Sequence, residues 1–563
     1  MFDLVFKDAR VIDGTGRPEY RADVGIEGDR IAEIGNVTAP AREVIDAGGR
    51  VLSPGFVDVH THYDAQITWD PSLSPSPSLG VTTVVMGNCG FTIAPAPAAL
   101  RSLIARNLAV VEGMSLKALE HGIDWSFESV PEYFAMLRSK GFVPNVAAFA
   151  GHSTLRTAVM GEEASQRAAN DEELAEMRAL LSEALDAGAI GLASTQSQNH
   201  FGDGGVPMPS RLADEREFRT LIGTLGETGR GVFMITGGPS TSGDFLEEMA
   251  ATTGRPVIWA AALHNAADPA RSRGLLAKCA EATDRGRQLY AQVSCQPLTM
   301  EFTLCNAYPL NSYDLWTELR GGDREVIRRK VCDPQFRSRL RTAFAQGHRG
   351  RLFYGDWSRV WISAVAEARN EALEGFTISE VAERQRKDPL DVFFDLALDE
   401  NLSTMYSAHI LNYEDDAVER LLKDEVSIIA LSDAGAHLTF LCDAGYGLHL
   451  LGHWVRERKS FTLEDAIRRI TSWPAEIYGI RGRGVIAKNA YADLLLFDPD
   501  VVGVSRTRRV HDLPGGDSRL IRDGRGIAGV WVNGTRVVSE NVPVHDGHRP
   551  GRLLEDCAMQ AVT

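Results

Sequence analysis

Residues 51–64 read VLSPGFVDVHTHYD, an apolar run broken by Pro54-Gly55 that leads straight into His60-Thr61-His62. A short apolar run beside a turn-forming pair predicts a buried strand over 55–59. Runs of the same kind recur at 81–86, 145–150, 189–193, 231–235, 256–262 and 428–431. Between them lie stretches with apolar residues at helical spacing, such as 171–187 and 462–471. Strands alternating with helices predict parallel βα units. A closed ring of eight needs one strand more. Both 288–295 (QLYAQVSC) and 404–410 (TMYSAHI) qualify, and the pattern does not choose between them.

The two ends of the chain carry a different pattern. Residues 3–11 and 22–34 alternate apolar and polar positions, interrupted by Asp13-Gly14 and Glu27-Gly28. Residues 492–497 (ADLLLF) and 527–538 (IAGVWVNGTRVV, with an Asn533-Gly534 hairpin signal) are strands of the same kind. Neither end is large enough to bury a core alone. The expected fold class is therefore α/β: a (β/α)8 TIM-type barrel over 55–483 and a small β-sandwich built from 1–54 and 484–540, with 541–563 as a C-terminal tail. Residues 296–350 are aromatic-rich, poorly periodic and broken by prolines and glycines. They are expected as an insertion over the barrel mouth, where binding elements concentrate.

Composition narrows the partners. The chain has 563 residues and a formal net charge of -17, which disfavours nucleic acid and anionic membrane surfaces. Seven cysteines without CxxC spacing argue against a disulfide framework and for a reducing compartment. The first residues, MFDLVFKDARVIDG, lack the basic-then-apolar order of a signal peptide, and no apolar run approaches the roughly 20 residues of a membrane helix. The expectation is a cytoplasmic protein, with self-association common among large enzymes.

In such a barrel the chemistry lies at the C-terminal strand ends. Side chains two apart on a strand share a face, so His60 and His62 point the same way, and paired imidazoles suit a divalent metal. Asp433 ends the apolar run of SIIALSD, where a carboxylate is costly unless it is paired or metal-bound. Cys89 follows the strand at 81–86 and reads equally as a ligand or a small core residue. His152, at the end of 145–150, reads equally as a substrate contact or a structural histidine. Arg211, closing the polar loop 194–211, reads as a carboxylate fork or a solvated surface arginine. His409 is a further candidate.

Four stretches, PGFVDVHTHYD, GVTTVVMGNCGF, SIIALSDAGAH and FTLEDAIRRITSWPAEIYGI, resemble the amidohydrolase superfamily, specifically its D-aminoacylase (N-acyl-D-amino-acid deacylase) branch. The resemblance implies that Cys89 is a metal ligand in place of a carboxylated lysine, and 189–194 ends without a lysine. It implies Asp433 as general base and ligand, and His437 as a histidine near the reacting atoms. It also implies a zinc cofactor held by His60, His62, Cys89 and Asp433. The chain departs from the branch at two strand ends. Thr236 stands where a histidine ligand is expected, and Ala261 aligns with the second; His264 follows three residues later and would have to complete any second metal site. The lysine that contacts the substrate carboxylate in this branch is also missing. The implied function is metal-dependent hydrolysis of a linear C–N amide in a small molecule. A cyclic or natural-product amide, or a scaffold used only for binding, are the alternatives.

Overall fold

The computed structural model describes the chain except residues 321, 347–350, 545–546, 556 and 558–563. Its parallel strands run Phe56–Asp58, Val81–Met86, Asn145–Ala148 with its continuation Ala150–Gly151, Gly191–Thr195, Val232–Thr236, Val257–Ala260, Leu289–Val293 and Ser427–Ile429. Each pairs in parallel with the next in that order. A parallel bridge between Thr61 and Ala434, just past the first and last strands, brings the two ends of this order together. Strands covered on both faces need apolar side chains at every position. Val81–Met86 meets that requirement, with all six residues buried.

Several helices that follow the strands start from side-chain caps that satisfy free N–H groups. Asp171–Asp186 starts from a capping box of Asn170 and Glu173, and buries Leu174, Met177, Leu181 and Leu185 along one face. Of the two candidates for the remaining parallel strand, Leu289–Val293 takes the place, between Val257–Ala260 and Ser427–Ile429.

The chain ends meet in one hydrogen-bonded sheet. Phe2–Val11 pairs antiparallel with Tyr20–Glu27 and parallel with both Ala41–Asp46 and Val51–Pro54. Val51–Pro54 pairs in turn with Leu494–Phe497, which joins Ile527–Val532 and Thr535–Ser539. The strands of both chain ends thus belong to one nine-stranded hydrogen-bonded sheet. Its core packs Phe6 edge-on to Trp531 at 4.8 Å, with Leu52 and Leu496 beside them. Asp493, Asn533 and Asn145 form a buried hydrogen-bonded cluster between this sheet and the third parallel strand. Because Val51–Pro54 runs directly into Phe56–Asp58, the sheet anchors the strand that delivers His60 and His62.

A second compact unit comprises Leu263–Arg273 and Gln296–Arg420. The expected insertion therefore extends well past residue 350. Leu298–Phe302, Met405–Leu411 and Val360–Ala364 form an antiparallel sheet in this unit. Its core is aromatic, with Phe393 against Tyr406 at 4.4 Å and Trp357 at 5.0 Å. Among the described residues no helix is long and apolar enough to cross a membrane.

Candidate active site

His60 and His62 leave the strand Phe56–Asp58 on one face, with ring centroids 5.3 Å apart. The backbone here is fixed from two sides. Thr61 N–H donates to the Val85 carbonyl, and His62 N–H donates to the Ala434 carbonyl at 2.7 Å. Gly435 makes the second approach possible: a Cβ there would lie 2.6 Å from the His62 carbonyl oxygen. Cys89 and Asp433 follow their strands in left-handed backbone conformations, φ 57° and 45°. Such conformations are costly for non-glycine residues and recur where a side chain must be aimed.

The result is a tight group. His60 Nε2 lies 3.3 Å from Asp433 Oδ1 and 3.8 Å from Cys89 Sγ, and His62 Nε2 lies 3.7 Å from Asp433 Oδ1. One ligand atom each from His60, His62 and Cys89 fall within 4.8 Å of one another. These side chains line a cavity of about 110 Å³. Glu112, His200, Thr236 and His437 complete its polar wall, and Phe91, Val111 and Leu431 contribute apolar surface.

Each member has a partner behind it. His60 Nδ1 lies 2.6 Å from Gln292 Oε1, and Gln292 Nε2 donates to Tyr478 Oη at 2.9 Å. His62 Nδ1 lies 3.0 Å from Glu112 Oε1. Cys89 Sγ lies 3.1 Å from Thr236 Oγ1.

Burial and charge set the protonation states. Burial lowers His60 to about 4, with Asp433 opposing. Burial also acts on His62, but Glu112 and then Asp433 outweigh it and push that imidazole up to about 10. Burial opposes ionisation of Asp433, yet His62 and His60 hold its carboxyl well below the usual range. Glu112 is lowered by His62 against its own burial. Burial raises the Cys89 thiol well above its ordinary value; the Glu112 charge adds to that and Thr236 opposes it. Burial lowers His200 to about 4 and lowers His437 as well.

The donor set fits a metal ion. Tetrahedral zinc with bonds of about 2.0 to 2.3 Å keeps its ligands roughly 3.3 to 3.7 Å apart. The separations of His60 from Asp433 and Cys89, and of His62 from Asp433, fall close to that range. Burial and the two nearby carboxylates keep the thiol from ionising, and a divalent cation bound there would favour the thiolate.

The other candidates separate clearly. His437 lines the cavity, and its N–H donates to the Glu112 carbonyl. His152 does not line it. That ring is buried with both nitrogens engaged, by Ser194 Oγ at 2.8 Å and Glu217 Oε1 at 2.7 Å, so it is a structural histidine rather than a substrate contact. Arg211 is also outside the lining; it donates to the His200 carbonyl at 3.0 Å and lies over the Phe201 ring, bracing the loop that carries His200. His264 belongs to the second compact unit, where Nε2 meets Glu414 Oε2 at 2.8 Å, and it is not a member of the His60–His62–Cys89 group. His409 packs on Trp361 in the same unit. Glu112, His200 and Gln292 escaped the sequence reading. His200 lies within the polar loop 194–211, while Glu112 follows the helix Arg101–Val111 with no pattern to mark it.

Histidines and a cysteine from adjacent strand ends, facing an aspartate from the last strand, form the arrangement of metal-dependent hydrolases built on parallel βα units. The chain belongs to the amidohydrolase family, whose model matches residues 43–538. It is 30% identical to an N-acyl-D-glutamate deacylase of Alcaligenes xylosoxydans xylosoxydans, covering 98% of this chain and 96% of that one. The solved N-acyl-D-glutamate deacylase of Bordetella bronchiseptica, in complex with zinc and a phosphonate inhibitor, superposes with a TM-score of 0.65 at 27% identity, covering 98% of this chain and 99% of that one. A D-aminoacylase studied for its binuclear metal centre gives a TM-score of 0.65 at 26% identity, covering 98% and 100%.

Proposed function

We propose that this chain is a (β/α)8-barrel, zinc-dependent hydrolase that cleaves the linear amide of an N-acyl-D-amino acid into a carboxylate and a free amine. The observation that carries this reading is the convergence of His60, His62 and Cys89 within 4.8 Å of one another, with Asp433 facing both imidazoles. The near full-length similarity to deacylases supports the substrate class.

His60, His62, Cys89 and Asp433 would hold the ion. Zinc bound there supplies a Lewis acid and lowers the pKa of water toward about 7. The Asp433 carboxylate takes the proton from the attacking water and delivers it to the departing nitrogen, the two halves of general acid–base catalysis. His437 faces the same cavity and donates to the developing charge. Phe91, Val111 and Leu431 exclude bulk water, which strengthens each of these interactions. A single ion per chain is the stoichiometry favoured here, since Thr236 and Ala261, which also line the cavity, offer no strong ligand for a second.

Hydrolysis of N-acetyl-D- and N-acetyl-L-amino acids by the zinc-loaded enzyme tests the proposal. Turnover of the D series with little of the L series is expected. Activity on neither series, with zinc bound, contradicts the substrate assignment.

A further inference from the structure

The two imidazoles are oriented by chemically different partners. Gln292 Nε2 reaches the Val59 carbonyl at 3.4 Å as well as Tyr478 Oη, and a carbonyl only accepts. The amide nitrogen must therefore face Val59, and Oε1 must face His60. His60 then carries its proton on Nδ1 and turns the Nε2 lone pair toward Cys89 and Asp433. Its partner is neutral.

His62 has a charged partner. Glu112 is 2% exposed and stands directly after the helix Arg101–Val111. Two effects oppose a carboxylate there. Burial removes its hydration, and the helix C-terminus carries partial negative charge. His62 Nδ1 and Glu112 Oε1 have no hydrogen-bond partner among the described residues and meet as an ion pair at 3.0 Å, and this contact works against those costs. The backbone carbonyl of Glu112 also receives the His437 N–H, tying the helix end to the loop that presents Asp433.

We propose that Glu112 is a positioning residue for the metal. It fixes the His62 ring with Nε2 facing the site and, as an anion on Nδ1–H, makes that imidazole the stronger donor of the pair. This inference rests on the reading of His60, His62, Cys89 and Asp433 as metal ligands.

The test is direct titration of metal-free protein with Zn2+ and with Co2+, native against Glu112→Ala and Glu112→Gln, recording dissociation constants and the cobalt absorption spectrum. Glu112→Ala is expected to weaken binding about 10- to 100-fold and alter the cobalt ligand-field bands. Glu112→Gln keeps an acceptor without the charge and is expected to fall between Ala and native. An Ala variant within twofold of native overturns the proposal. So does a Gln variant no better than Ala, which would make the loss a packing effect. Should the Ala variant fail to fold, the Gln variant decides alone, and native affinity with a native spectrum overturns the proposal. No binding of either ion by native protein overturns the metal reading itself and is distinguishable from these outcomes.

Discussion

Asp433→Asn isolates the proton-transfer step. The substitution is isosteric, so the amide oxygen can occupy the position of Oδ1, 3.3 Å from His60 Nε2 and 3.7 Å from His62 Nε2. Packing in the cavity is unchanged, and the loss falls on basicity and charge. A positioned general acid–base group contributes about 10²- to 10⁴-fold, equivalent to about 3 to 5 kcal/mol of barrier. The assay is kcat on an N-acyl-D-amino acid at saturating zinc, with bound metal measured in the same sample, so that loss of the ion is separated from loss of the base. A fall of at least about 100-fold in a metal-loaded variant is expected. Near-native turnover with metal bound would refute Asp433 as the base.

Two further perturbations separate structure from chemistry. Glu217 is buried between His152 and Arg156, whose contacts hold its carboxyl below the ordinary range despite burial. Glu217→Ala leaves the fully buried Arg156 guanidinium without its counter-ion, and a loss of about 3 to 5 kcal/mol is expected from urea unfolding. Because the folded pKa of Glu217 is depressed, its ionic contribution is complete above the ordinary value of 4.5 and disappears as pH falls through the lower folded value. The native–variant gap in stability should therefore narrow below about pH 4.5; a gap that does not change with pH would contradict the assignment. His264→Ala, in contrast, removes the partner of Glu414 in the second compact unit and is expected to leave zinc stoichiometry and affinity unchanged. Loss of zinc in that variant would return His264 to the metal site.

The parts of the site legible in the sequence were those fixed by local pattern. His60 and His62 stand two apart after a buried strand, and Asp433 ends another, so period and burial alone expose them. Cys89 needed the family resemblance, because a buried cysteine looks the same as a core residue. Glu112 and Gln292 left no such trace. One is a charged residue at a helix end, and the other is a buried polar position within a strand; each acquires meaning only when distant elements meet. The two readings of His152 stayed open for the same reason, since Ser194 and Glu217, which occupy its two nitrogens, come from later strand and helix segments. The ambiguity between 288–295 and 404–410 has a physical resolution. Met405–Leu411 alternates strictly between half-buried and buried positions, as an antiparallel strand with one open face does. Leu289–Val293 is buried at four of its five positions, as a parallel strand covered on both faces must be.

Zinc per chain, by elemental analysis of purified protein that has never met a chelator, tests the central claim most directly. One ion per chain, lost in Cys89→Ala and His60→Ala, is the predicted result. No metal, even after incubation with zinc, would contradict the hydrolytic site, and two ions per chain would contradict the single-ion reading of Thr236 and Ala261.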